Sequence, residues 1–462
     1  MKQNKNIGHV IFMAVVAAIG GILFGYDTAV ISGTTEIVRN QFSLTASGEG
    51  WYVGCALVGS IVGVLLAGSL SDYLGRKYTM LISAALFSIS AIGCAVCGSF
   101  NALTAYRIIG GVGIGIVSIV SPIYISEVSP AKIRGTLVSL YQLAVTAGFL
   151  LAYLANWIID AGIDAGASAD AGLWERMFNA EAWRGMLGSE TIPALLFFFV
   201  IFFIPESPKW LIVKGKLKEA HAVLRQILPS EDEIGKEIEA TRSSLGQDKG
   251  NWADLLKPGI IVAVLAGCAI AILGQFMGVN AVLYYGPKIF SDAGFDNPMF
   301  STVLVGVVNL VTTILAVFII DRVGRKQLIY WGVSGMIICL VAIGIYFSAG
   351  NALGLGNGFM LTFFLAYVFC CAISISAIVF VLLSEMYPNS VRGRAMSIAG
   401  FMLWIGTYLI GQLTPVLLEW SQAGTFFIFA VMCLPYMLIM WKVIPETTGK
   451  TLEEIENYWT NK

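Results

Sequence analysis

The sequence predicts an all-α membrane protein of twelve transmembrane helices in two six-helix bundles, joined by a cytoplasmic helical linker. Composition is the first reason. Of 462 residues, 57% are hydrophobic and only 12% charged, against about 25% charged in soluble proteins. Internal duplication is the second. Ser71-Asp72-Tyr73-Leu74-Gly75-Arg76-Lys77 recurs 249 residues later as Ile320-Asp321-Arg322-Val323-Gly324-Arg325-Lys326, and the stretch Glu127 to Gly135 recurs 258 residues later as Glu385 to Gly393. Pro205-Glu206-Ser207 is echoed by Pro445-Glu446-Thr447. Each copy is a short charged connection between long apolar runs, so the repeated unit is itself a membrane bundle. Paired membrane repeats are a common plan of secondary transporters.

Taken in order, the runs of about 20 apolar residues that suffice to span hydrocarbon lie near 8–32, 51–71, 78–98, 102–126, 135–159 and 187–205 in the first half. Those of the second half lie near 258–287, 300–320, 327–349, 357–384, 394–418 and 424–444. The polar stretch 206–257 joins them. Its apolar residues Leu217, Ala220, Leu224, Ile227 and Leu228 recur at helical spacing, and a second charged helix is expected near 232–245. Asp160 to Ala182 reads as an acidic external loop. The resulting domains are 1–205, 206–257, 258–444 and a tail at 445–462. The seventh run contains Gly274 and Gly278, a sign of a discontinuous helix. The fourth holds Gly110, Gly111, Gly113 and Gly115; no strand precedes them, so they read as a helix-packing face and not a nucleotide loop.

Basic residues are retained on the cytoplasmic side. With both termini inside, all but five of the 28 Lys and Arg fall at inner connections; Arg39, Arg176, Arg184 and Lys288 lie outside and Arg107 within a span. The first run shows no small-residue cleavage site and is expected to remain as a span. A net charge of −1 gives no sign of a nucleic-acid partner, and the expected surroundings are a lipid bilayer. The eight cysteines fall in apolar runs, where Cys behaves as a small hydrophobe, and the two histidines, His9 and His221, have no ligand cluster around them. No metal, cofactor, nucleophile or phosphate-binding loop is expected, which disfavours an enzyme or an ATP-driven pump.

Three groups of residues carry chemistry. Asp27, Arg107 and Glu190 each sit near the outer end of a run, at depths that allow a cluster. A membrane-embedded charge costs about 2.5–3.5 kcal/mol on insertion scales and is usually paired and functional. An acid beside a cation that approaches and withdraws can load and release a proton; a static ion pair fixing helix register is the alternative. The second group is the duplicated inner motifs, Asp72, Arg76, Glu127 and Arg134 with Asp321, Arg325, Glu385 and Arg392. They suit a latch in which the motifs of the two bundles pair when the inner side closes. Orientation alone would require the cations but neither the acids nor the repeated spacing. The third group is polar and aromatic side chains within runs: Gln142, Gln275, Asn280, Asn309 and Trp404, with Phe24 and Tyr284. Amides donate and accept, which suits a neutral polyhydroxyl ligand, and an aromatic face suits a sugar ring. Interhelical hydrogen bonding is the competing use.

Gly25-Tyr26-Asp27, Gly75-Arg76-Lys77, the Glu127 to Arg134 and Glu385 to Arg392 motifs, Pro205-Glu206-Ser207-Pro208-Lys209-Trp210 and Pro445-Glu446-Thr447-Thr448-Gly449-Lys450 resemble the sugar porter family of the major facilitator superfamily. Bacterial xylose-proton symporters are the nearest resemblance. It implies a monomeric importer of a monosaccharide or polyol by proton symport, with Asp27 and Arg107 as the coupling pair and Gln142, Gln275, Asn280 and Trp404 as sugar contacts. Rivals are a uniporter of the same fold and a sugar receptor. Four positions depart from the family pattern. Gly274 replaces the first of a Gln pair, Phe149 replaces a further Gln, Phe380 stands where Trp is usual, and Leu403 replaces a polar residue. These losses of hydrogen bonds imply a less hydroxylated or modified sugar.

Overall fold

Backbone N–H and C=O groups in hydrocarbon must be satisfied within the protein, and a helix satisfies them within its own segment. The computed structural model describes residues 2–130, 133–163, 172–245, 252–388, 391–447, 454–455 and 458–459. Among them, twelve helices are long and apolar enough to cross a membrane. The first six are α1 Ile7–Gly33, α2 Ala46–Leu74, α3 Arg76–Val96, α4 Phe100–Val128, α5 Arg134–Ala161 and α6 Ala182–Phe203. The second six are α7 Ile260–Asp292, α8 Pro298–Ile320, α9 Arg325–Leu353, α10 Asn357–Met386, α11 Arg392–Trp420 and α12 Gln422–Lys442.

The chain divides into two units, one of Met1–Thr34 with Cys55–Asp248 and one of Thr35–Gly54 with Lys249–Lys462. In the first, α1 packs on α5 and α3 packs on α4 and α6; in the second, α7 packs on α11 and α9 packs on α10 and α12. The duplication is therefore one of packing as well as of sequence. Within the first unit the glycines of α4 do what the packing reading requires. A Cβ on Gly111 would stand 1.9 Å from the Ala56 carbonyl oxygen of α2, and one on Gly115 would stand 2.2 Å from that of Ser60. Any larger residue would force these backbones apart.

The inner motifs are built twice in the same way. Gly75 and Gly324, at φ 100° and 99°, turn the chain into α3 and α9 through a conformation that disfavours side chains. In the first unit Glu206 accepts from the N–H groups of Arg76 (2.8 Å), Lys77 (3.1 Å) and Ser207 (2.7 Å), placing a carboxylate on the helix N-terminus. In the second, Glu446 accepts from the Lys326 N–H at 3.2 Å and the Thr447 N–H at 3.1 Å. The repeated Pro-Glu-Ser/Thr segments are thus caps for the helix that follows each glycine turn.

The linker forms helices at Pro208–Val213, Leu217–Ile227 and Glu231–Leu245, and its residues as far as Asp248 group with the first unit. Ala220, Val223, Leu224 and Ile227 are buried along one face of the middle helix. The segment expected as a loop from Asp160 to Ala182 is largely otherwise where it is described. α5 runs to Ala161, and helical turns at Leu173–Glu175 and Arg176–Ala180 lead into α6, which begins at Ala182, earlier than the expected 187. Residues 164–171 lie outside the described residues. The reason for the early start is Arg184, which is buried and donates to the Ala95 and Cys97 carbonyls at the end of α3. Its guanidinium lies 4.3 Å from the Trp183 ring, and a charge so satisfied can extend the helix past the apolar run.

Thr35–Gly54, although it lies between α1 and the body of α2, belongs to the second unit. Glu49, fully buried, accepts from Arg39 Nη1 at 2.9 Å and Lys288 Nζ at 2.8 and 3.0 Å, and Gln412 Nε2 donates to the Ser47 carbonyl at 2.9 Å. Arg39 and Lys288, two of the cations expected outside, are thus accounted for by one buried acid.

Candidate functional site

Asp27, Arg107 and Glu190 meet in the interior of the first unit, at 1%, 3% and 2% exposure. Arg107 Nη1 donates to Asp27 Oδ1, and the Glu190 carboxyl lies at hydrogen-bonding range of Asp27 and in electrostatic reach of Arg107. Two ionised carboxylates both accept, so their close approach requires a proton between them. Asp27 Oδ2 and Glu190 Oε1 are buried acceptors to which no described donor is directed. Charge bookkeeping agrees. Two carboxylates and one guanidinium balance when the set holds one proton. Helices α1, α4 and α6 supply one member each, so relative movement of any of them alters the set.

In the second unit Gln275 and Asn280 stand on either side of the break in α7. Its backbone is interrupted between Phe276 and Val279, with Gly278 at φ 90°. The Tyr367 hydroxyl of α10 donates to the Met277 carbonyl at 2.8 Å, satisfying one group the break leaves over. Gly278, not Gly274, makes the discontinuity. Gln275 and Asn280 flank it, and Asn280 Nδ2 donates to Gln275 Oε1 at 2.6 Å. Thr407 Oγ1 of α11 lies 3.2 Å from the same oxygen. The Gln275 carbonyl is thereby engaged, and its NH₂ group is the end left to serve a ligand. Tyr284, Asn309 and Trp404 are buried in the same unit at 2%, 8% and 8% exposure. Gln142 and Phe24 are half-buried in the first.

Of the four departures, Gly274 has space beside it, for a Cβ there would meet only Ile375 at 3.6 Å and Tyr436 at 3.8 Å. Phe149 is buried. Phe380 is 52% exposed and follows a π-helical turn at Ala372–Ser376, an irregularity that often marks functional sites. Leu403 contributes its carbonyl to Thr407 Oγ1 at 2.9 Å.

Each inner motif closes an ion pair within its own unit, where the sequence suggested pairing with the partner motif. Arg76 holds Glu127 through two bonds, Nε to Oε2 at 2.9 Å and Nη2 to Oε1 at 3.1 Å, and Ser207 Oγ donates to Glu127 at 2.5 Å. Arg325 Nη2 donates to Glu385 Oε1 at 3.1 Å, and Thr447 Oγ1 donates to Glu385 at 2.5 Å. Asp72 meets Arg76 at 3.4 Å across the Gly75 turn, while Arg134 and Arg392 reach the Ser129 and Tyr387 carbonyls at 3.4 and 3.3 Å. The Asp321 side chain lies outside the described residues.

Sequence reasoning missed Thr407, Ser189 and Glu49. Thr407 is an ordinary helix residue by sequence. Glu49, an acid at the start of a span, carried a signal: it resembles Asp27 in being costly unless paired.

Twelve spans in two repeated units, a buried acid–base set and amides around a broken helix define a multi-pass membrane transporter. The chain matches the model of the family described as sugar (and other) transporter over residues 13–459, and it belongs to that family. It is 38% identical to the arabinose-proton symporter of Bacillus subtilis, covering 99% of this chain and 96% of that protein. It is 37% identical to the D-xylose-proton symporter of Escherichia coli K12, covering 99% and 97%. Among solved structures it is similar to the inward open conformation of the xylose transporter XylE from E. coli, with a TM-score of 0.84 and 35% identity over 97% of this chain and 100% of that one.

Proposed function

We propose that the protein imports a monosaccharide or related polyol together with a proton, by alternating access between its two bundles. The observation that carries this is the Asp27–Arg107–Glu190 set, whose second carboxylate finds no donor unless the set holds a proton. A uniporter would have no use for that acid. In this reading Asp27 and Glu190 hold the proton, and Arg107 competes with it for Asp27. Gln142, Gln275, Asn280, Asn309 and Trp404 contact the sugar, with Phe24 and Tyr284 as apolar walls. The inner motifs act as gates: Arg76–Glu127 and Arg325–Glu385 stiffen each bundle's inner end, leaving Arg134 and Arg392 to make contacts that differ between states. Asp72 and Asp321 complete the two motifs. The protein works as a monomer in a bacterial inner membrane with both termini in the cytoplasm, where most of its basic residues then lie.

Relatives named as arabinose-proton and xylose-proton symporters support this substrate class. The four departures favour a sugar with fewer free hydroxyls, because an apolar wall forgoes the discrimination that hydrogen bonding provides. Asp27→Asn tests the coupling. Uphill uptake in vesicles should be lost while counterflow of the same sugar persists, since only the titrating charge is removed. Concentrative uptake at the wild-type level would remove Asp27 from the mechanism.

A further inference from the structure

Glu190 sits where α6 is locally weakest. Pro193 has no N–H, so the Ser189 carbonyl lacks the donor that a regular helix would supply four residues on. The helix Ala182–Ser189 ends there, Glu190 forms a turn, and a second helical stretch begins at Thr191. Glu190 keeps helical dihedrals (φ −60°, ψ −21°), but with the Ser189 carbonyl released by Pro193 the junction is held by one backbone bond fewer than a regular helix. One bond from α1 spans this junction. The Tyr26 hydroxyl lies 2.6 Å from Ser189 Oγ. Ser189 Oγ donates its own proton to the Met186 carbonyl at 2.5 Å, so Tyr26 is the donor of the pair. The register matters, because Tyr26 precedes Asp27 and Ser189 precedes Glu190. The bond ties together the immediate chain neighbours of the two carboxyls.

We propose that Tyr26 and Ser189 are positioning residues for proton coupling: their hydrogen bond holds the Glu190 carboxyl within range of Asp27, so that the two acids share one proton. The inference rests on the symport reading and specifies its geometry. The groups facing the acid pair are Tyr26 from α1, Cys55 from α2, Cys94 from α3 and Arg107 from α4. Arg107 is the only one of these that carries a fixed charge, and a thiol or phenol changes the set only if it ionises. With the clamp cut, the junction at Glu190 relaxes, the carboxyls separate, and both their mutual repulsion and their shared hydrogen bond weaken. Each of these changes makes the proton easier to lose.

Infrared spectra of the purified full-length protein in lipid vesicles, recorded across a pH titration, follow the protonated-carboxyl band without requiring any sugar. The band is assigned by its loss in Asp27→Asn and Glu190→Gln. Tyr26→Phe removes only the donor hydroxyl and Ser189→Ala only its acceptor. Each should lower the midpoint of the band by roughly one pH unit, the double variant should move it no further than either single, and Ser189→Thr should restore it. The pH profile of proton-driven xylose uptake should shift in the same direction. A midpoint unchanged or raised in Tyr26→Phe overturns the clamp, as do shifts that simply add; Tyr26→Phe decides alone if Ser189→Ala does not fold. A wild-type protein whose band does not respond to pH, or persists in both acid variants, overturns the symport reading itself.

Discussion

The charge balance of the Asp27–Arg107–Glu190 set makes a prediction that ordinary side-chain truncation would not. Asp27→Asn or Glu190→Gln alone leaves one carboxylate against one guanidinium, a balanced pair that needs no proton. The double variant removes both of these carboxylates from beside Arg107, which is 3% exposed. Uncompensated buried charges left by breaking a pair cost about 3–5 kcal/mol. Each single should therefore be mild, on the order of 1 kcal/mol for the altered hydrogen bonds. The double should exceed the sum of the singles by about 1–3 kcal/mol, a coupling within the range seen for residues sharing one network. Thermal unfolding of purified protein in one detergent, for wild type, both singles and the double, measures this as non-additive midpoint shifts. Adding Arg107→Gln to the double should recover most of the loss, since it removes the stranded charge. Strictly additive shifts, or no recovery in the triple variant, would refute the idea that these three residues form one balanced set.

Other expectations follow from the same geometry. Arg76→Ala should destabilise more than Arg325→Ala: Arg76 holds Glu127, 7% exposed, by two bonds, whereas Arg325 holds Glu385, 25% exposed, by one. Unfolding midpoints of the two variants decide it, and equal shifts would contradict the assignment. Thr407→Val removes the hydroxyl beside Gln275 Oε1, whose single proton is shared with the Leu403 carbonyl, and leaves Asn280 Nδ2 as the full donor to that oxygen. The amide should then rotate more freely, and sugar affinity should fall about fivefold, equivalent to about 1 kcal/mol; unchanged affinity in a titration with xylose or arabinose would separate Thr407 from the site. Gly274→Gln should strengthen binding of an unmodified aldose, because a Cβ there meets only ordinary van der Waals contacts and the amide restores a donor and an acceptor.

The spans and the twofold plan were legible because bilayer thickness fixes helix length and because the charged inner motifs stand out against apolar runs. Glu206 and Glu446 show how far that went: the repeat was visible, but their capping of α3 and α9 depends on a chain reversal that sequence does not specify. The break in α7 was expected from Gly274 and Gly278, yet only Gly278 adopts the left-handed backbone that requires glycine. Arg184 misled the boundary of α6, since a charge usually ends a span and here it is buried against carbonyls of α3. Asp27, Arg107 and Glu190 could be matched by depth alone. Tyr26–Ser189 and Thr407–Gln275 could not, because hydroxyls are common in helices and their partners lie 163 and 132 residues away.

Sugar-induced proton movement tests the central claim most directly. Purified protein in sealed vesicles, weakly buffered, with no membrane potential and equal pH on both sides, is given a downhill gradient of xylose, and in parallel of arabinose, while external pH is recorded. Inward flow of a transported sugar should carry protons with it and raise the external pH, and Asp27→Asn should abolish the change while sugar still equilibrates. Sugar entry in the wild type with no accompanying pH change would contradict proton symport and leave the buried acid pair without its proposed role.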